Sequence, residues 1–404
     1  MDRVILHCDL NSFYASVELL SHPELRHVPM AVSGDPTSRH GIILAKNEPA
    51  KKFGVKTAET IWQARKKCPD LVLLRPHHDL YRIYSKKVNA IYDQYTDLVE
   101  SFGIDESWLD VTHTLHLFGG DARALADELR RRIREELGLT LSVGVSFNKV
   151  FAKLGSDYKK PDATTVISRE NWKKLIWPLP VGDLLFVGGA AQKILRQYNV
   201  STIGQLAGCD PKMLESLMGK MGTQLYEYAN GLDAEPVHSR TEAEPVKSVG
   251  NGTTFPLNLT TREQALNGIA LLADSVATRL RRERLYAGGI QVTVRDPEFR
   301  DRSRQTRLET PTRLIRDITE ISMELLGELW TPPSPIRALT VTAIYPTTED
   351  TAYEQADLFA QSTAPQKEKQ EKLEAAMDRI RGKFGNTSIS FGSSKLEKEE
   401  DPLS

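Results

Sequence analysis

The sequence predicts a multidomain α+β protein, and three observations carry that reading. Strand and helix segments run in the order β-α-β-β-α-β twice, once between residues 4 and 146 and again between 247 and 346, and the stretch 169–233 reads as helices alone. A length of 404 residues suits two to four domains, and 40% hydrophobic with 26% charged residues is the composition of an ordinary globular protein. No run of eighteen apolar residues offers a membrane span. The start, "MDRVILHCDL", lacks a signal-peptide pattern, and Cys8, Cys68 and Cys209 are far apart, odd in number and fit no metal spacing. A reducing, cytoplasmic setting is expected.

In the first unit, "VILHCDL" (4–10) reads as a buried strand ending in Asp9, and "SFYASVELL" as a helix with Phe13, Val17 and Leu20 on one face. Residues 41–77 form a small mixed region. A helix over 81–97 carries Tyr84, Val88, Ile91 and Tyr95 on its apolar face. "FGIDESWLDVT" (102–112) reads as strand, polar break, strand, with Asp105 and Glu106 adjacent at the break. Two carboxylates inside an apolar stretch are either a solvated hairpin tip or a pair held by something cationic. "DARALADELRRRIREELG" is a helix with Leu125, Leu129 and Ile133 inward and Gly138 at its C-terminal end, and "TLSVGVS" is the closing strand. The order matches a split βαβ, ferredoxin-like sheet with 11–77 inserted or leaning on it. In such a sheet Asp9 can face Asp105 and Glu106. Three converging carboxylates need counter-charge, and hard divalent cations take oxygen ligands, which favours Mg²⁺ or Mn²⁺.

Within 169–233, Gly188 and Gly189 open one helix and "STIGQL" a second. Helix N-termini favour anions and glycines allow close approach, although a plain helical hairpin has the same pattern. Residues 234–246, with two prolines and no periodicity, read as a linker. In the second unit, Thr260 and Glu263 suggest a capping box opening a long helix. Its middle hairpin holds Arg295, Arg300, Arg302, Arg304 and Arg307, which on alternate positions would line one sheet face and suit a phosphate backbone, or guard a solvated edge. Net charge is −1 but segregated: Lys247 to Arg316 holds 13 Lys+Arg against 7 Asp+Glu, a local +6, and Thr347 onward holds 8 against 12, a local −4. The tail is polar, with an apolar island, "QADLF", and a late helix bearing Leu373, Met377, Ile380 and Phe384 in register.

Four motifs in order, "CDLNSFYASVE", "FGIDESWLDVT", "SVGVSFNKVFAKLGSDYKKPD" and "KSVGNGTTF", resemble those of the Y-family translesion DNA polymerases, in the DNA polymerase IV branch, over about residues 1–346 and a tail motif. The resemblance implies a right-hand polymerase. Its palm would be 1–10 with 78–168, its fingers 11–77, and its thumb, a helix-hairpin-helix element, 169–233. Residues 234–246 would be the linker, 247–346 the little finger and 347–404 a flexible tail. It implies transfer of a deoxynucleotide from a dNTP to the 3′-OH of a primer paired to a template, with low fidelity and no proofreading exonuclease. Two Mg²⁺ ions, or Mn²⁺, would be held by Asp9, Asp105, Glu106 and the Leu10 carbonyl. Tyr14 would discriminate sugars, and Lys51 and Lys160 would meet the triphosphate. Gly188, Gly189, Arg300, Arg302, Arg304 and Arg307 would contact DNA. Gln355, Leu358 and Phe359 would dock on a sliding clamp, and the protein would act as a monomer.

The chain departs from the family pattern in the fingers. Glu48 and Lys51 stand where the family usually has Tyr and Arg on the triphosphate, Leu44 replaces a smaller roof residue, and "FVGGAAQK" lacks the usual Gly-x-Gly. Two rivals follow: a catalytically impaired DNA-binding relative, raised by Glu48 and Lys51, and a nucleotide cyclase-like palm. The intact carboxylate trio opposes the first, and the basic second unit the other.

Overall fold

In the computed structural model, residues 2–36, 41–242, 245–348, 364–385 and 388–389 are described. The chain divides into two compact units, Met1–Ala243 and Glu244–Ser404.

The first unit is organised by strand β1, Ile5–Leu10, buried along its whole length, as a strand covered on both faces must be. Helix α1, Phe13–Ser21, follows directly. A three-stranded sheet comes next: β2 (Met30–Ser33), β3 (Ile43–Lys46), the short helices α2 (Glu48–Lys52) and α3 (Ile61–Lys67), and β4 (Val72–Leu74), in the order β3-β2-β4. It has its own small core of Ala31, Ile43, Ala50, Ile61 and Ala64. α1 joins the two sheets: Phe13 and Val17 pack with Leu6 and Cys8, while Ala15 packs with Met30 and Val32 on the face of β2 away from that small core.

Helix α4, His78–Tyr92, begins before the expected 81 and stops before 97, because the Thr96 hydroxyl donates to the Asp110 carbonyl and Val99 already pairs with Leu109. Strands β5 (Val99–Ser101) and β6 (Glu106–Asp110) form the hairpin. Helix α5, Ala122–Leu137, is capped by Asp121, whose carboxylate accepts from the N–H groups of Arg123 and Ala124, and ends at Gly138 with φ 69°. Leu125, Leu129 and Ile133 are fully buried as their spacing predicts, each worth ~1.5–3 kcal/mol relative to exposure. Strand β7 (Leu141–Ser146), helix α6 (Lys149–Tyr158) and strand β8 (Thr164–Ile167) complete a sheet ordered β5-β6-β1-β7-β8. The β-α-β-β-α-β part is antiparallel and ferredoxin-like, and β8 extends it in parallel to β7.

The expected helical segment contains α7 (Trp172–Ile176), α8 (Gly189–Gln197), α9 (Ile203–Ala207), α10 (Pro211–Met218) and α11 (Lys220–Ala229). The predicted linker behaves differently. Up to Arg240 it is strapped to the sheet: Val237 is buried with Ile5 and Trp108, the His238 N–H donates to Glu100, and Lys149 reaches Glu235 and the Pro236 carbonyl. Prolines mark an extended path here, and side-chain anchors fix it.

The second unit contains β9 (Ser248–Leu259), α12 (Arg262–Arg282), β10 (Leu285–Arg295), β11 (Asp301–Thr312), α13 (Ile315–Leu329), β12 (Ile336–Ile344), β13 (Thr347–Thr348) and α14 (Ala364–Phe384). Its sheet is ordered β11-β10-β12-β9, with β13 on β10. The capping box is one residue later than expected, Thr261 with Gln264. The arginines do not share one face. Arg302 and Arg304 lie opposite the buried Val294 and Val292, on the helix-covered side, and Arg304 reaches Glu328 at 3.4 Å. Arg307, an odd number of residues away, takes the other face, 5.2 Å from the Tyr345 ring. Arg300 precedes the strand and is bonded to Asp296 and Glu298.

The late helix forms, but turned. Met377 is buried, whereas Leu373, Ile380 and Phe384 are exposed. α14 docks by charge instead. Glu374 is fully buried against Arg281 and accepts from the Ile315 N–H at 3.1 Å, Asp378 meets Arg281 and Thr278, and Arg381 pairs with Asp274 at 2.7 Å. Helix α13 has no side-chain cap of its own, so Glu374 caps it from another helix. The tail, expected to be flexible throughout, is thus docked over these residues. Gln355, Leu358 and Phe359 lie outside the described residues.

Candidate active site

The β1–β6 register sets Asp9 directly opposite Glu106, and the Leu10 N–H donates to the Asp105 carbonyl at 3.1 Å. Cross-strand partners share a face, so strand pairing alone forces two carboxylates together. Asp105 is the last residue of the turn before β6, so the pair is no solvated tip. The three acids line one cavity of about 380 Å³ with Leu10, Ser12, Tyr14, Leu44, Lys46, Lys51, Thr57 and Lys160.

Helix α6 supplies counter-charge. It lies unusually close to β7 because Gly144 and Gly155 meet: a Cβ on Gly144 would sit 1.9 Å from the Ala152 carbonyl oxygen. That approach brings Lys153 to Glu106 at 2.7 Å and within 4.0 Å of Asp9. Lys160, just beyond the helix, bonds Asp9 and Asp157, each at 2.6 Å. Beneath them His7 is fully buried, its Nε2 3.4 Å from Glu106 and its Nδ1 2.8 Å from the Ser156 hydroxyl.

Electrostatically the acids differ. Burial pushes Asp9 up to about 7 against the opposing pull of Lys160, with the Glu106 charge adding. Burial, then the Glu106 charge, raises Asp105. Burial would also raise Glu106, but the His7 ring 3.4 Å away and the Lys153 ammonium outweigh it and hold that carboxyl well below the usual range. Burial lowers His7 to about 4, so it is neutral near pH 7. Among the described residues no three acid, histidine or cysteine side chains already form a metal cage. The donor set still fits hard divalent cations: all-oxygen ligands, mutual repulsion, and lysines providing the compensation a cation would take over.

Tyr14 lines the cavity beside Asp105. Its ring stacks on Tyr81 at 4.1 Å with planes 13° apart, and the Tyr81 hydroxyl is fixed by the buried Glu18. Leu44 on β3 and Lys51 on α2 line the same cavity. Gly188 caps the nine-residue α8 and Gly189 begins it. A Cβ on either would meet nothing, and neither has positive φ, so local packing does not require glycine there. The arginines belong to the other unit and do not line this cavity. Sequence reasoning missed His7, Lys46 and Lys153. A lysine one helical turn after another carries no signal for a partner on a strand 47 positions away.

Comparison with known proteins agrees with the geometry. Residues 8–157 match the impB/mucB/samB family, and residues 246–358 match the C-terminal domain of that family. The chain is 47% identical over 392 residues to DNA polymerase IV of Acetivibrio thermocellus, covering 97% of each chain. It is 36% identical over 400 residues to DNA polymerase IV 1 of Bacillus subtilis strain 168, covering 98% of this chain and 94% of that one. A solved Y-family DNA polymerase chimera, Dbh-Dpo4(243-245)-Dbh, has the same fold, with TM-score 0.77 and 22% identity over 86% of this chain and all of that one. The chain belongs to the impB/mucB/samB family, the Y-family DNA polymerases, in the DNA polymerase IV branch. It is a template-directed translesion DNA polymerase acting on primer-template DNA and dNTPs, and its reaction depends on divalent metal. The cyclase alternative falls away. Among the described residues no helix is long and apolar enough to cross a membrane.

Proposed function

We propose that the cavity around Asp9, Asp105 and Glu106 is where the dNTP is joined to the primer. One observation carries this reading: strand pairing sets Asp9 opposite Glu106, and both line one cavity with Asp105, Tyr14, Lys51 and Lys160. Asp9, Asp105, Glu106 and the Leu10 carbonyl would hold two Mg²⁺ ions, for which Mn²⁺ can substitute. Such ions neutralise the triphosphate and make the 3′-OH easier to deprotonate. The primer 3′-oxygen bonds the α-phosphorus, the bond to the β-bridging oxygen breaks, and pyrophosphate leaves. Lys160, bonded to Asp9 here, would turn to the triphosphate where the Asp9 charge is compensated by a cation. Lys51 meets the phosphates from the fingers side. Tyr14, backed by Tyr81, occupies the space a ribose 2′-OH would need. Leu44 narrows the roof and with it the range of bulky lesions accepted.

The same reading makes 1–10 and 78–168 the palm, 11–77 the fingers, 169–233 the thumb and 247–346 the little finger. Backbone N–H groups at Gly188 and Gly189 would hold a DNA phosphate, and Arg300, Arg302, Arg304 and Arg307 the duplex backbone. Gln355, Leu358 and Phe359 would tether a cytoplasmic, monomeric enzyme to a sliding clamp and raise its effective concentration at primer ends.

The test is primer extension with Mg²⁺ and all four dNTPs. Asp105→Asn and Glu106→Gln should bind primer-template normally and lose extension by at least about 10³-fold, as when charge stabilisation in a transition state is removed. Near-normal extension by either variant sinks the assignment. The tether is tested separately: Leu358→Ala with Phe359→Ala should extend normally alone and gain nothing from a loaded clamp, and full stimulation would refute it.

A further inference from the structure

Three cations line the cavity, Lys46, Lys51 and Lys160, and their surroundings differ. Lys160 is compensated by Asp9 and Asp157. Lys51 is compensated by Glu48, three residues earlier on α2, at 2.5 Å. That exposed pair is worth little as stability. Its electrostatic consequence is larger, because a full negative charge accompanies the Lys51 ammonium wherever an anion could meet it. Lys46 is the exception. It ends β3, paired with Ala31, and its Nζ donates to the Thr57 hydroxyl at 2.8 Å, a neutral acceptor that also lines the cavity. It makes no ion pair with a described residue. Burial, then the Lys51 charge, lowers its pKa, and the opposing charges of Glu59 and Glu48 do not offset them. A partly desolvated ammonium without a direct counter-charge is an unfavourable arrangement that a bound anion relieves.

We propose that Lys46 is the principal phosphate-binding cation of the fingers, taking the incoming triphosphate in the role that Glu48 denies to Lys51. This rests on the active-site reading above and names the residue that compensates the unusual Glu48–Lys51 pair. The ammonium holds the polyphosphate as a point charge, and Thr57 keeps the side chain turned into the cavity. Glu48 then has a defined effect: it lowers the positive charge at the α2 rim and leaves the binding strength with β3.

Single-nucleotide insertion kinetics test this, with the dNTP KM, the kcat and the Kd for primer-template measured separately. Lys46→Met should raise KM about tenfold or more, the size of one lost charge-assisted hydrogen bond, with kcat and DNA affinity nearly unchanged. Lys46→Arg should restore most of the loss. Lys51→Met should raise KM less than Lys46→Met, and Glu48→Gln should lower it by releasing Lys51. Melting curves of each variant guard against a folding defect. An unchanged KM in Lys46→Met, or a larger loss in Lys51→Met, overturns the assignment while leaving the polymerase site intact, provided the unmodified protein inserts templated nucleotides and Asp105→Asn does not. An unmodified protein without templated insertion overturns both.

Discussion

The two β-α-β-β-α-β units share an element order and differ in everything that order leaves open. In the first, the strand that follows the helical crossover, β5, lies at the edge, and the second hairpin strand, β6, folds back beside β1, so the end of one strand bearing a carboxylate meets the start of another. In the second, β10 and β12 are central and the opening strand β9 lies at the edge. Its middle strands carry Gly289, Gln291, Thr293, Thr340 and Thr342 on the side away from the helices, with no carboxylate until Asp301, which is spent on Arg295 at 2.7 Å. The first arrangement concentrates charge in a buried place where one atom matters. The second spreads paired charge over a surface where no single group dominates. The same linear pattern therefore yields a buried cluster of carboxylates or a surface of paired charges, depending on which strands are neighbours.

That contrast is sharpest at Tyr14. The ring is held by stacking on Tyr81, which is itself anchored through Glu18, so its position is defined by packing rather than by solvent. Tyr14→Ala should admit ribonucleotides, raising their use relative to deoxynucleotides on the order of 10–100-fold, the range open to a steric pocket. Competition assays with rATP and dATP measure it. A variant that melts earlier but keeps its sugar preference would show the ring to be a core aromatic only, and the first unit would lose its claim to single-atom control.

The surface of paired charges should respond gradually. Replacing Arg302 and Arg304 together should weaken primer-template binding a few-fold and flatten the salt slope by roughly one unit for each phosphate left without its arginine. Because Arg307 lies on the opposite face, it supplies an internal comparison. A flatter slope only in Arg307→Ala would place the DNA on the helix-free face; a flatter slope only in the double variant would place it along the β11 edge. An unchanged slope in both breaks the comparison, because the second unit would then hold no DNA through these arginines.

Much of this is legible in the sequence, for identifiable reasons. Apolar spacing at 3.6 residues and end signals such as Asp121 and Gly138 are local, so α5 is read correctly to within a residue. The convergence of Asp9 with Glu106 follows from strand order, once the first unit is read as ferredoxin-like. What stays hidden depends on distant partners. Lys153 acts through Glu106, Val237 through Ile5 and Trp108, and neither has a neighbour in sequence that announces its partner. The strand order of the second unit is invisible because the first has the same succession of elements. α14 turns a different face from the one its sequence suggests: Leu373, Ile380 and Phe384 point to apolar docking, but Arg281, Arg313 and the uncapped end of α13 select the acidic face instead.

The smallest expected effect lies in that acidic face, and it separates the units by pH. Glu374 joins α14 to Arg281 and to the first N–H of α13, within a layer that also holds Asp274 and Asp378 against Arg281 and Arg381. Burial raises its pKa from 4.5 to about 7, against the pull of Arg281. The docked state therefore holds a proton more tightly than the undocked one. Docking should strengthen as pH falls from about 7 towards 4.5 and be weakest above 7. Hydrogen exchange at the Ile315 amide reports it directly, since that N–H loses its acceptor when α14 leaves. Protection at Ile315 should rise on acidification across this window in the unmodified chain and be flat in Glu374→Gln, which keeps an acceptor but cannot titrate. Glu374→Ala should lose protection at every pH, by about 1–3 kcal/mol for a charged bond removed from a buried partner. Weaker protection at pH 5 than at pH 7.5 would mean that the Arg281 pair, not burial, governs the protonation of Glu374.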